Sequence, residues 1–73
     1  MPEFRLDVDA VRRRAKRAGD LTDGAIARRV GVERTTISRL MSDRTAPSLR
    51  TVVLLGRAYS VTVEDLLMEV EAA

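Results

Sequence analysis

The stretch from Leu21 to Arg44, LTDGAIARRVGVERTTISRLMSDR, constrains this chain more than any other. Ile26, Ala27 and Val30 mark one face of a first amphipathic helix, and Ile37, Leu40 and Met41 mark one face of a second. Gly31 stands between them, where it can take a positive φ that other residues reach only at a cost. Ala27 is small where the two helices must cross closely. The pattern predicts two short helices folded on each other about a tight turn.

Charge singles out the same stretch. Residues 12–44 hold ten basic and four acidic side chains, whereas residues 1–11 and 45–73 are each acidic by two charges, so a net charge of +2 hides a polarised molecule. Concentrated positive charge on one segment is the footprint of a nucleic-acid-binding face. With 73 residues the chain makes one small domain. It has no cysteine and no histidine, which removes disulfides, a nucleophilic thiol, the commonest acid/base and the commonest metal ligand. There is no Gly-rich phosphate loop and no pairing of carboxylates suited to acid/base work, so an enzyme finds no support and no cofactor is expected. Apolar runs are too short for a membrane span, and MPEFRLDVDA lacks the apolar core of a signal peptide; a cytoplasmic protein is expected.

Taken in order, residues 1–7 read as an arm. Phe4 and Leu6 alternate with polar neighbours, as in a short strand or an extended segment whose Phe4 covers the core edge; such a strand could also pair with a second chain. The first helix is expected from Asp7 or Asp9 to about Ala18, with Val8, Val11, Ala15 and Ala18 inward and Arg12, Arg13, Arg14, Lys16 and Arg17 around the rest. The second runs from an N-cap at Thr22 to about Val30, and the third from Arg34 to Ser42. A fourth begins at Ser48, after Pro47, and ends near Tyr59, with Leu49, Val52, Leu55, Gly56 and Tyr59 inward and Gly56 permitting a close helix crossing. A fifth is expected from Thr62, carrying Val63, Leu66 and Leu67 inward, before a short tail over 68–73. The expected architecture is all-α, a compact five-helix domain over 8–67 with the paired helices at 22–42. Leu54, Met68 and Val70 are left as excess apolar surface, the candidate two-fold dimer interface.

Two helices at this spacing about a glycine make a helix-turn-helix, whose second helix enters the DNA major groove. Ala27, Gly31, Val32, Ile37 and Leu40, the continuation Pro47-Ser48-Leu49-Arg50-Thr51-Val52, and Val61-Thr62-Val63-Glu64-Asp65-Leu66-Leu67 resemble the Cro/repressor-type family, also called the xenobiotic-response-element family. The resemblance spans about residues 8–67 and implies a lambda-repressor-like fold that binds double-stranded DNA. By position, Arg34, Thr35 and Arg39 match the family's base-contacting sites. Arginine can donate two hydrogen bonds to O6 and N7 of guanine, and threonine can bond a base edge or touch a thymine methyl. Ser38 shares that face and joins the base-contacting candidates, although it and Thr36 could equally face phosphate or solvent.

Thr22 and Thr36, with Arg44 and Thr45 in the loop after the reading helix, are the phosphate candidates that the resemblance implies. Arg13, Arg14 and Arg17 are further candidates from their charge, the alternative being a plain solvated face. Asp23 occupies a phosphate-facing position where the family often has glutamine. An aspartate there should repel the anion, so either that contact is lost or Thr22 and backbone amides serve instead. Glu33 stands where the family commonly has a serine or threonine cap. It can cap poorly, accept from cytosine N4 or pair with Arg34.

The resulting expectation is a stand-alone, Cro-like repressor that reads an inverted repeat as a homodimer, with no small-molecule ligand. The alternative is an antitoxin-type module that binds a partner protein and autoregulates its operon, for which only residues 1–7 or 68–73 are available as a docking extension.

Overall fold

The helices begin where short polar side chains take up free backbone N–H groups. In the computed structural model, which describes residues 2–42 and 47–71, Asp7 Oδ1 accepts from the Ala10 amide at 3.0 Å and opens α1 (Val8–Arg17). Thr22 Oγ1 accepts from Ala25 at 3.1 Å and opens α2 (Asp23–Val30). Ser48 Oγ accepts from Thr51 at 3.1 Å and opens α4 (Leu49–Tyr59). Helix α3 (Arg34–Met41) is the exception, because Glu33 at its N-cap makes no side-chain capping bond. Each such cap contributes about 1 kcal/mol. Gly31 ends α2 at φ +86°, the left-handed conformation expected of it, and its amide and that of Val32 both return to the Ala27 carbonyl.

The core is a single cluster drawn from every element that surrounds the turn. Val11 and Ala15 of α1, Ile26, Ala27 and Val30 of α2, Ile37, Leu40 and Met41 of α3, and Leu55 of α4 are all buried. Ile37 and Leu55 are fully enclosed, so α3 is anchored to the body through the very face that the sequence pattern marks.

The chain is not all-helical, and a fifth α-helix does not form. Val63–Leu66 is a single 3-10 turn capped by Thr62, and Leu67–Glu71 then runs as a strand, β2. It pairs antiparallel with β1 (Pro2–Leu6) in the register Phe4 to Glu69 and Leu6 to Leu67. Among the described residues the architecture is four α-helices, one 3-10 turn and a two-stranded sheet. The segment expected as a tail contains this strand. Its Leu-Met-Glu-Val-Glu alternates with period two, but a lone alternating run is a strand only if a partner exists, and here the partner lies some sixty residues away in sequence. Leu66 is the last helical-type core residue at 1% exposed, and the Asp7 amide bonds its carbonyl at 2.8 Å, closing the sheet against the start of α1.

Four further positions depart from expectation, the first being Ala18, which is exposed because α1 ends at Arg17. Phe4 does not cover the core: it is 63% exposed, and Leu6 is the arm residue that is buried. Leu49 is 76% exposed; Thr51 takes the inward place because its hydroxyl bonds Ser48 Oγ at 2.9 Å and so can be buried without loss. Gly56 serves a close approach of a different kind. A Cβ there would lie 2.8 Å from the Val61 carbonyl oxygen, so the room it leaves is filled by the chain turning back after α4 rather than by another helix.

Candidate nucleic-acid interface

Burying Ile37, Leu40 and Met41 forces the opposite side of α3 outward. Arg34, Thr35 and Arg39 are exposed there, so the structure brings these three together on one open face. The stem of Arg34 crosses the first turn of α2, where a Cβ on Gly24 would stand 3.8 Å from Arg34 Cδ. Glu33 is also exposed at the head of the helix. Thr36 and Ser38 are partly buried, Ser38 lying between Arg34 and Thr35 around the helix.

Ser38 has a specific partner. Its hydroxyl donates to Asp23 Oδ2 at 3.2 Å, and Asp23 Oδ1 lies 4.0 Å from an Arg12 guanidinium nitrogen. Asp23 is thus the middle of a chain that joins α1, α2 and α3, and its charge, which would repel a phosphate, faces an arginine. A carboxylate in the first turn of α2 also suits the helix dipole. Thr22 keeps an O–H to donate, since its oxygen only accepts the Ala25 amide.

The basic run of α1 is split between two sides. Arg12 and Lys16 line a cleft with Asp20, Leu21 and Ile26, next to α2. Arg13, Arg14 and Arg17 line another with Ala10 and Asp65, next to the 3-10 turn. Arg12, which the reading of the sequence did not select, is therefore the α1 arginine linked to α3 through Asp23. Helical spacing separates it from Arg13 and Arg14, but only the packing of α2 shows which side matters. Arg44 and Thr45 lie outside the described residues. Leu54 packs partly buried against the core, Val70 is partly buried, and Met68 is 45% exposed on β2.

A second polar cluster holds the frame. The Asp20 carboxylate accepts from Arg29 Nε, from Arg29 Nη2 at 3.3 Å and from the Tyr59 hydroxyl at 2.8 Å. Arg29 Nη2 also donates to the Ala18 carbonyl at 3.2 Å, and its guanidinium lies 5.9 Å from the Tyr59 ring centroid. The Arg29 and Tyr59 hydrogen bonds hold the Asp20 carboxyl below its ordinary range. Burial, followed by the bond to Asp20, pushes the Tyr59 phenol above its own. Arg29 thereby ties the α1–α2 connection to the end of α4. Asp20 and Tyr59 are thirty-nine positions apart, and no local pattern in the sequence announces them.

Residues 9–68 match the profile of the helix-turn-helix domain family, and the chain belongs to that family. It is a DNA-binding protein of the helix-turn-helix class, consistent with the open arginine-bearing face of α3. Comparison with curated proteins and with solved structures returned no match. No helix among the described residues is long and apolar enough to cross a membrane.

Proposed function

We propose that this chain is a sequence-specific transcriptional regulator, a repressor of the Cro type, that works in the cytoplasm and binds an inverted-repeat operator as a homodimer. One observation carries the reading: α3 is held by three buried apolar residues while Arg34, Thr35 and Arg39 share its open side. Arg34 and Arg39 would each engage O6 and N7 of a guanine, and Thr35 a base edge or thymine methyl. Ser38, with Asp23, would orient α3 at its edge. Thr22, Thr36 and Arg12 would meet the phosphates flanking the groove, and Arg44 and Thr45 the backbone beyond α3. Arg13, Arg14 and Arg17 would add charge attraction from the other side of α1, with Asp65 among them.

Two such helices related by a two-fold reach successive major grooves about 34 Å apart. Selection of sites from a random DNA pool at near-physiological salt should therefore return an inverted repeat with half-site centres about 10 bp apart. Arg34→Ala or Arg39→Ala should cost roughly 1–3 kcal/mol on the preferred site and relax the preference at one position per half-site. A selection that enriches nothing, or an Arg34→Ala variant with unaltered base preference, would remove the basis of this assignment.

A further inference from the structure

We infer that β1 is the contact between two copies of the chain, its open edge pairing with itself about Phe4. This rests on the dimeric reading above and names the surface that the dimer uses.

The argument begins with which edge is open. In an antiparallel pair, residues alternate between those that exchange both hydrogen bonds with the partner strand and those whose N–H and C=O point away. The Asp7 amide bonds the Leu66 carbonyl, and the register pairs Leu6 with Leu67 and Phe4 with Glu69. Arg5 and Glu3 therefore bond across to β2, whereas Phe4 and Leu6 direct their backbone groups to the outer edge, which no strand covers among the described residues. A second β1 can satisfy that edge only in registers that match Phe4 or Leu6 with another outward-facing residue.

Charge then selects among those registers. Matching Phe4 with Leu6 of the second copy puts Arg5 opposite Arg5, and matching Phe4 with Pro2 puts Glu3 opposite Glu3; both are repulsive. Matching Phe4 with Phe4 is the longest register, and it sets Glu3 opposite Arg5 twice, by symmetry. These unlike pairs fall at the positions where the backbones exchange no bonds and side chains approach most closely. At the centre, two phenylalanines that the monomer leaves exposed would meet as an aromatic pair. The outer edge of β2 offers no such match, because its longest self-pairing register sets Glu69 opposite Glu69. Pro2 has no N–H to give, which keeps the ladder short. A strand of this length buries far less than the roughly 1,200 Å² of a stable interface, so free association should be weak and completed on DNA, where neighbouring half-sites hold the two copies together.

The test is sedimentation equilibrium of the full chain up to roughly 1 mM, with folding checked by circular dichroism. Phe4→Glu, Glu3→Arg and Arg5→Glu should each weaken self-association roughly tenfold or more, and the Glu3→Arg/Arg5→Glu double variant should restore it. On DNA, Phe4→Glu should lose the advantage of an inverted repeat while leaving affinity for one half-site unchanged. A wild-type chain that stays monomeric throughout overturns the inference. So does a dimer that all four variants leave intact and Met68→Glu dissolves, although the dimeric reader would then survive through another surface. Loss of half-site binding in a folded Phe4→Glu chain would also overturn the inference, since Phe4 would then act in DNA contact, whereas a wild-type chain that binds no half-site would refute the DNA-binding reading instead.

Discussion

Gly56→Ala and Gly24→Ala are the same chemical change in two helices, and the structure gives them opposite signs. Alanine in a helix interior is worth about 1 kcal/mol over glycine, so propensity alone favours both, in full at Gly56 inside α4 and by less at Gly24 in the first turn of α2. At Gly24 the added methyl meets Arg34 Cδ at 3.8 Å and Thr22 Oγ1 at 3.9 Å, ordinary contacts with side-chain atoms. At Gly56 it meets the Val61 carbonyl oxygen at 2.8 Å, a backbone atom. That oxygen cannot simply swing away: the Val61 amide bonds the Gly56 carbonyl at 2.9 Å, and Ser60 between them already sits at φ +55°. Overpacking of this sort costs about 1–3 kcal/mol. Set against the propensity gain, Gly56→Ala should destabilise by about 1 kcal/mol, and more if the turn is displaced. For a domain of this size each kcal/mol moves Tm by about 4–8 °C. Thermal unfolding followed by circular dichroism should therefore show Gly56→Ala melting several degrees lower and Gly24→Ala level or slightly higher. If Gly56→Ala raises Tm, the close approach after α4 is not rigid and the reasoning fails.

Acidification gives a second prediction. Asp20 has a lowered pKa in the folded state, so its bonds to Arg29 and Tyr59 contribute stability above the ordinary carboxylate range, and that contribution is lost as pH falls through the folded value. Asp20→Asn should flatten the acid limb of a stability–pH curve; an unchanged limb would show that the cluster is not energetically coupled. Tyr59 works in the other direction. Its raised pKa means that its contribution is present below the ordinary tyrosine value and lost as pH rises through the folded one. Tyr59→Phe should accordingly remove part of the alkaline limb. Asp23→Asn should cost about 0.5 kcal/mol of stability through the helix dipole, yet tighten binding to all DNA sequences alike, measured as a salt titration. Weaker binding in that variant would mean that Asp23 matters chiefly by orienting Arg12 or Ser38.

The amino-acid sequence by itself determined the helical body and which side of α3 is left exposed. Caps at Asp7, Thr22 and Ser48, the left-handed Gly31 and the apolar positions Ile26, Val30, Ile37 and Leu40 act within one or two turns of their own helices. Short-range rules are therefore enough to place Arg34, Thr35 and Arg39 together. What only the tertiary structure decided depends on residues distant along the chain. Leu67–Glu71 becomes a strand because Pro2–Leu6 is there to pair with it; the same five residues alone carry no backbone partner and could as well extend a helix. Asp23 changes from a repulsive charge to a bridge because Arg12 and Ser38 arrive from two other helices. Arg29, one arginine among several by composition, becomes a structural tie because Asp20 and Tyr59 meet it. A helix is stabilised by neighbours three and four residues away, whereas a strand or a buried polar cluster needs partners that only the folded chain brings within reach.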